Sequence, residues 1–241
     1  MSDLRLNAYL ARHGIASRRQ ADELIRSGRV RVNGAKVPSS GQMVLDSDLI
    51  TLDDQPVAVV PKPTYLMLNK PPGVVVTRSD PHHPTTVMDL VRTQSRLFAV
   101  GRLDRPSRGL LLLVNDGQLA HRLTHPRYQV PRYYRATVKG DPTAQDLDRL
   151  RRGLTLDASQ VRFAGVRVIR SAEGIAVLQV TLDQGVKRQI RRMLEILGLP
   201  VIDLERVGLG PLRLGDLQQG EYRCLSDHEL DQLRRLVGLN A

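Results

Sequence analysis

Aromatic residues are scarce in this chain, with no Trp, two Phe and six Tyr among 241 residues. A core built on stacked rings is excluded, and any Tyr set between basic residues becomes a candidate for stacking on a nucleobase. There is one cysteine, Cys224. No disulfide forms within the chain, so a reducing compartment is expected. Cys224 has no evident base partner and is read as structural. No apolar run approaches the roughly 20 residues that span a bilayer, and residues 1–12 lack the apolar core of a signal peptide. The expectation is a soluble, cytoplasmic protein without a membrane partner. No P-loop, dinucleotide fingerprint or Ser nucleophile elbow is present. His121 and His125 stand four apart, but Arg122 occupies the place of a catalytic Glu, and His82-His83 adds no coherent site. Neither a metal nor a small-molecule cofactor is expected.

What is abundant is positive charge. Lys and Arg total 36 against 25 Asp and Glu, a net charge of +11. A surplus of this size favours a polyanionic partner, and nucleic acid is the commonest. Hydrophobic residues at 41% and charged residues at 25% are ordinary globular values. The length suits a small domain followed by a larger one.

Residues 3–13 read as a helix with Leu4, Ala8, Leu10 and Ala11 on its apolar face and Gly14 at its end. Ser17 and Gln20 form a capping box that starts a second helix, which carries Ala21, Leu24 and Ile25 and stops at Gly28. Val30 and Val32 alternate with polar residues as a strand, and Asn33-Gly34 is a hairpin-turn signal. Residues 1–36 hold eight Lys or Arg against three Asp or Glu, including Arg18, Arg19, Arg26, Arg29, Arg31 and Lys36. A helix start beside such side chains suits backbone phosphates. Pro56, Pro61 and Pro63 mark residues 55–64 as a linker.

Beyond it, strands are expected at Leu66–Leu68, Val74–Val76, Leu110–Val114, Tyr134–Val138, Val166–Ile169 and Ala176–Leu182. Helices are expected at Thr86–Thr93, Gly117–Leu123, Ala144–Arg152 and Lys187–Leu197. Strands and helices without βα repetition point to an α+β domain.

Three segments carry candidate chemistry. Asp104 lies in a Gly- and Pro-punctuated loop before the apolar run Leu110–Val114, among Arg102, Arg105 and Arg108. Those cations would keep a carboxylate ionised and could grip phosphates, although Asp also commonly caps turns. Tyr133 and Tyr134 sit between Arg132 and Arg135, where either ring could stack on a base or simply pack in the core. In the third segment, Ile190, Met193, Leu194 and Leu197 give a buried helix face. Lys187, Arg188, Arg191 and Arg192 are left on the other side, as a solvated cationic face or a functional one.

Together these segments resemble the RsuA/RluB-type pseudouridine synthases, closest to the large-subunit, RluB-like branch. The resemblance covers nearly the whole chain. Arg5 through Gly34 is similar to an S4 RNA-binding domain. Asn69-Lys70-Pro71-Pro72-Gly73 resembles the family's first motif, and Gly101-Arg102-Leu103-Asp104 through Leu111 its catalytic motif. Tyr134 resembles the active-site Tyr, Arg188 to Met193 the C-terminal motif, and Gly210-Pro211-Leu212 with Leu214 to Leu217 the closing segment. One departure is Arg105-Pro106-Ser107-Arg108-Gly109, where the family usually has x-Asp/Asn-Thr/Ser-x-Gly.

The resemblance implies an S4-like domain (two helices plus a β-hairpin) over residues 1–60. A catalytic domain over residues 64–241 would follow, built on a mixed, mainly antiparallel sheet flanked by helices and loops. It implies isomerisation of a flipped-out uridine in ribosomal RNA or a ribosomal subunit precursor, most closely 23S rRNA. Asp104 would be the nucleophile, Arg191 its partner and Tyr134 the ring against the uracil. RNA contacts are expected from Arg18, Arg19, Arg29, Arg31, Arg102, Arg105, Arg108, Arg132, Lys187, Arg188 and Arg192, while Lys70 and its neighbouring prolines act as structural support. A monomer is the default expectation. The alternatives weighed are a 16S rRNA enzyme, a catalytically idle RNA-binding assembly protein, and a carboxylate-pair glycosidase. The last would need a second carboxylate opposite Asp104, and only Asp116 is near in sequence.

Overall fold

A computed structural model describes residues 4–57, 60–77 and 85–239; His82 and His83 lie outside them. The chain divides into two compact units. One runs through Thr64 and includes Thr93–Arg96 and Asn115–Gly117; the other holds Tyr65–Arg92, Leu97–Val114 and the chain from Gln118 onward.

In the first unit, strand β1 (Leu4–Arg5) precedes helices α1 (Leu6–Arg12) and α2 (Arg18–Arg26), followed by β2 (Val30–Val32), β3 (Ala35–Lys36), β4 (Met43–Val44), β5 (Ile50–Leu52) and β6 (Gln55–Pro56). The Ser17–Gln20 capping box is present in both directions. Asn33 and Gly34 both take positive φ, 51° and 80°, the condition for the tight turn joining β2 to β3. The buried face of α1 differs from the expected one. Leu6, Tyr9 and Leu10 are buried, because Leu4 is drawn into β1 opposite Val44. The expected linker also begins as structure: β6 pairs with β5, with Pro56 at the sheet edge, where a missing N–H is tolerated.

The second unit is built on β7 (Tyr65–Lys70), β8 (Phe98–Ala99), β9 (Arg108–Val114), α3 (Gly117–Thr124), β10 (Arg132–Lys139), α4 (Ala144–Arg152), β11 (Leu154–Leu156), β12 (Ser159–Val161), β13 (Gly165–Ala172), β14 (Ile175–Leu182), α5 (Gln189–Ile196), β15 (Val201–Leu209), β16 (Leu212–Arg213), β17 (Tyr222–Cys224) and α6 (Asp227–Leu236). Its main sheet runs β13-β14-β10-β15-β9-β7-β17, with β16 on β15 and β8 on β9. Pairing is antiparallel except between β15 and β9, so the sheet is mixed and mainly antiparallel.

The apolar run Leu110–Val114 is continuous because both faces of β9 are covered. Leu111 and Leu113 belong to one core with Ile190, Met193 and Leu194 of α5. Leu110, Leu112 and Val114 belong to another with Leu119 and Leu123 of α3 and Leu233 of α6. Each of these fully buried side chains stabilises the fold by roughly 1.5–3 kcal/mol. The sheet is thus a rigid, doubly covered platform, and the loops at its ends carry the site.

Two expected elements do not form. Val74–Val76 is not a strand; only Val75 forms an isolated bridge, with Thr86. Thr86–Thr93 is not a helix. The Asp89 carboxylate accepts from both the Thr86 N–H and the Thr86 hydroxyl, at 2.7 and 2.9 Å. That local alternative competes with helical backbone bonding.

Candidate active site

Residue 103 begins the site. Leu103 is buried in the core, and this anchor turns the next side chain, Asp104, outward to 37% exposure. The Ser107 N–H closes the turn by donating to the Asp104 carbonyl at 3.0 Å. The N–H absent at Pro106 is therefore not one that this turn needs.

Lys70 holds the loop from beneath. It is fully buried and donates to the carbonyls of Pro71, Arg105 and Ser107 at 3.0, 3.2 and 2.6 Å. The Gly73 N–H donates to the Arg105 carbonyl at 2.8 Å, and Arg105 Nε returns a bond to the Gly73 carbonyl at 3.1 Å. The Asn69–Gly73 segment and the Asp104 loop are thus tied into one rigid piece.

Burial pushes the Lys70 ammonium down to about 8, against the opposing pull of Asp104. Lys70→Met leaves the buried Ser107 carbonyl and the partly buried Pro71 carbonyl short of a donor and takes one of two donors from the Arg105 carbonyl, and unmet buried groups cost about 1–3 kcal/mol each. A loss of about 3 kcal/mol in urea unfolding is expected, with turnover falling alongside. The folded value of about 8 lies below the ordinary 10.5, so between them the unfolded chain binds more protons and this group's contribution to stability rises with pH. The gap between wild type and Lys70→Met is therefore expected to widen from pH 8 toward 10.5.

Across the cleft, α5 begins at Arg188, whose φ of 54° is left-handed, a strained state for a non-Gly residue and one that recurs at functional sites. Gln189 is buried and pins this turn by donating to the Arg162 carbonyl at 3.0 Å. Arg188 Nη1 comes within 4.0 Å of Asp104 Oδ2. Arg191, the expected partner, makes no ion pair with Asp104 within 4.0 Å. It donates to the Val201 carbonyl at 3.1 Å and reaches the Ser107 hydroxyl at 3.5 Å. Burial and Arg188 lower the Arg191 pKa, while Asp104 and Asp203 oppose the shift. Arg191 thus reaches the Asp104 loop through Ser107, a residue marked in the sequence only by its retained hydroxyl.

Asp104, Tyr134, Arg188 and Arg191 line one cleft of about 320 Å³, at the small end of single-ligand sites. Tyr134 is 8% exposed. Its strand alternates, so Tyr134, Ala136 and Val138 face the core. Tyr133 lies on the other face of the strand, under the Arg213 guanidinium at 4.4 Å. Arg102, Arg132 and Lys187 also line the cleft.

Other expected RNA contacts are engaged elsewhere. Arg108, expected on RNA, instead binds Asp203 through Nε and Nη2 and Glu205 through Nη1, at 2.5–3.1 Å. The parallel pairing of β9 with β15 sets Arg108 opposite Glu205. Arg105 is committed to Gly73. Arg192 forms a two-pronged pair with Asp157 at 2.7 Å. Arg29 and Arg31 pair with Asp53 and Asp54 at 2.5 and 3.3 Å; such exposed pairs are weak enough to yield to phosphates. Arg18 and Arg19 stand at the start of α2, both exposed.

Sequence reasoning missed Arg206. It is 2% exposed, lines the same cleft, and donates through Nε to the Leu110 carbonyl at 2.7 Å. A lone Arg on a strand carries no pattern that marks it; only the pairing of Arg206 with Tyr134 across β10 and β15 brings it to the site.

Comparison with known proteins agrees with this geometry. The RNA pseudouridylate synthase family model matches residues 64–196, and an S4 domain model matches residues 4–50. The chain is 42% identical over 98% of its length to an RNA pseudouridine synthase of Mycobacterium leprae, covering 94% of that protein. It is 38% identical to the Bacillus subtilis protein named ribosomal large subunit pseudouridine synthase B, over 98% of this chain and 99% of that one. A crystal structure of a pseudouridylate synthase superposes with a TM-score of 0.68 at 29% identity, over 95% of this chain and 99% of the other. With a catalytic-domain match over more than half its length and relatives aligned end to end, the chain belongs to the RNA pseudouridylate synthase family.

Proposed function

We propose that this protein converts a specific uridine of ribosomal RNA, in the large subunit, to pseudouridine, with Asp104 as the nucleophile. The observation that carries the reading is the position of Asp104: partly exposed at a cleft, on a loop fixed by Lys70, facing Arg188 and Arg191. The large-subunit assignment rests on likeness to the Bacillus subtilis protein.

The reaction breaks the C1′–N1 bond, turns the uracil and joins C5 to C1′. One proton leaves C5 and one arrives at N1, so atoms balance without redox change. An ionised carboxylate promotes the first step by attacking C1′ or by a glycal-type route. The cations opposite orient the Asp104 carboxylate. Tyr134 packs against the uracil, which must leave the RNA fold to enter the cleft. Arg102, Lys187 and Arg188 sit where they can hold the displaced backbone. The front unit, residues 1–60, supplies affinity through Arg18 and Arg19 at the α2 start, where N–H groups and guanidiniums converge on phosphate.

Mapping pseudouridines in ribosomal RNA from cells lacking the protein tests the target. One uridine of the large-subunit RNA should stay unmodified; an unchanged map would refute the reading, and a loss confined to the small subunit would reassign it. Arg18→Ala with Arg19→Ala is expected to weaken RNA binding and to flatten its salt dependence by roughly one to two log units per log unit of salt. Single-turnover chemistry at saturating enzyme should be nearly unchanged. Filter binding across a salt series measures the first effect and quench-flow the second.

A further inference from the structure

Four residues lining the Asp104 cleft carry a buried polar atom without a hydrogen-bond partner among the described residues, and one of them is Arg191, through its Nε. The other three atoms are Arg132 Nη1, Arg206 Nη2 and Asp183 Oδ1. Arg206 is 2% exposed and anchored by its Nε to Leu110, so its free nitrogen is held in place. Arg132 lies opposite Leu182 across β10 and β14, next to Asp183. Burial lowers the Arg132 pKa, with Arg206 adding to the shift and Tyr134 and Asp183 opposing it. Two guanidiniums are therefore buried within electrostatic reach of each other, with Asp183 as the nearby carboxylate. Asp183 itself is shared with Arg162 at 3.9 Å.

Leaving buried donors and an acceptor unmatched is unfavourable in a folded protein unless a ligand completes them. Two donors with an acceptor complement the uracil edge formed by O2, N3–H and O4. Cytosine, which has an amino group at C4 and no N3–H, does not fit the same set. When the C1′–N1 bond breaks, its electron pair stays with the base. The resulting anion spreads its charge over the two exocyclic oxygens. Charge of that sign, appearing only as the reaction proceeds, is what fixed buried cations stabilise best.

We propose that Arg132, Asp183 and Arg206 receive the O2–N3–O4 edge of the extruded uracil, and that the two guanidiniums stabilise the base anion as it departs. This rests on the synthase reading above and adds the groups that bind the leaving base. The electron pair returns when C5 bonds to C1′; C5 then loses its proton and N1 gains one, so no co-reactant is needed.

The experiment compares uridine with 5-fluorouridine at the target position of the RNA. Fluorine stabilises the departing anion, so help from the protein matters less. Consumption of the target nucleoside is followed in nuclease digests under single-turnover conditions, with Arg132→Gln, Arg132→Lys and wild type. Arg132→Gln keeps a donor and loses the charge. It is expected to slow uridine consumption about 10²-fold, to slow fluorouridine consumption about tenfold or less, and to change RNA affinity little. Arg132→Lys, which keeps the charge, should return the ratio of the two rates toward wild type; it also serves if the Gln variant folds poorly. Equal losses on both substrates, or a loss only in binding, would overturn the proposal. Asp104→Asn is run in parallel. If wild type consumes neither substrate, the synthase reading fails and takes this proposal with it; if wild type is active, Asp104→Asn is inactive and both substrates slow equally in Arg132→Gln, only this proposal fails.

Discussion

Alanine at Gly109 is expected to destabilise the catalytic unit by about 4 kcal/mol, enough to remove much of its stability margin. Two costs coincide there. Gly109 has φ of +103°, where an L residue is strained by about 1–3 kcal/mol. A Cβ at this site would also lie 2.3 Å from the Arg206 carbonyl oxygen and 2.8 Å from its nitrogen. Relief requires prising β9 from β15, and overpacking of that kind adds about 1–3 kcal/mol. The displacement would fall on the register Arg206–Gly109 and Glu205–Arg108, and so on the anchoring of Arg206 to Leu110 and of Arg108 to its two carboxylates. Chemical denaturation should show a lowered midpoint. Gly174, also at positive φ but with open space for 4 Å around the place a Cβ would take, should show the strain cost alone when replaced by Ala.

Asp104→Asn is expected to lower turnover at least ~10³-fold with little change in folding stability. The carboxylate is 37% exposed, and its ion pair with Arg188 is a 4.0 Å approach, so little native energy depends on it. The amide is nearly the same size but is a far weaker nucleophile than a carboxylate. RNA affinity should hold or rise slightly, since the phosphate-binding cations are untouched. A parallel loss in binding and in chemistry would mean that Asp104 serves structure rather than reaction.

Local signals are legible where partners lie close in the chain. The Ser17–Gln20 capping box and the Asn33-Gly34 turn depend on residues within a few positions, and both appear as expected. The apolar run of β9 is visible because burial on both faces leaves no polar position. Val74–Val76 and Thr86–Thr93 mislead for the opposite reason. Three valines suit a strand, but among the described residues these three have only a single bridge to pair with, and Asp89 offers Thr86 bonds that composition does not foretell.

The site follows the same division. Asp104 announces itself through its loop, and Arg188 to Met193 through helical spacing. Arg108 looks like one more phosphate ligand in the sequence, yet its fate is decided by Asp203 and Glu205, 95 and 97 positions later. Arg206 becomes visible only when β15 is laid between β9 and β10. Long-range strand pairing therefore determines which of many arginines line the cleft and which hold the sheet together.

Release of tritium from ribosomal RNA labelled at C5 of uridine is the most direct measurement. Wild-type protein should release label in step with pseudouridine formation, and Asp104→Asn, folded and still bound to RNA, should release none above background. Label released by the Asn variant at a rate near wild type would contradict the assignment of Asp104 and the mechanism built on it.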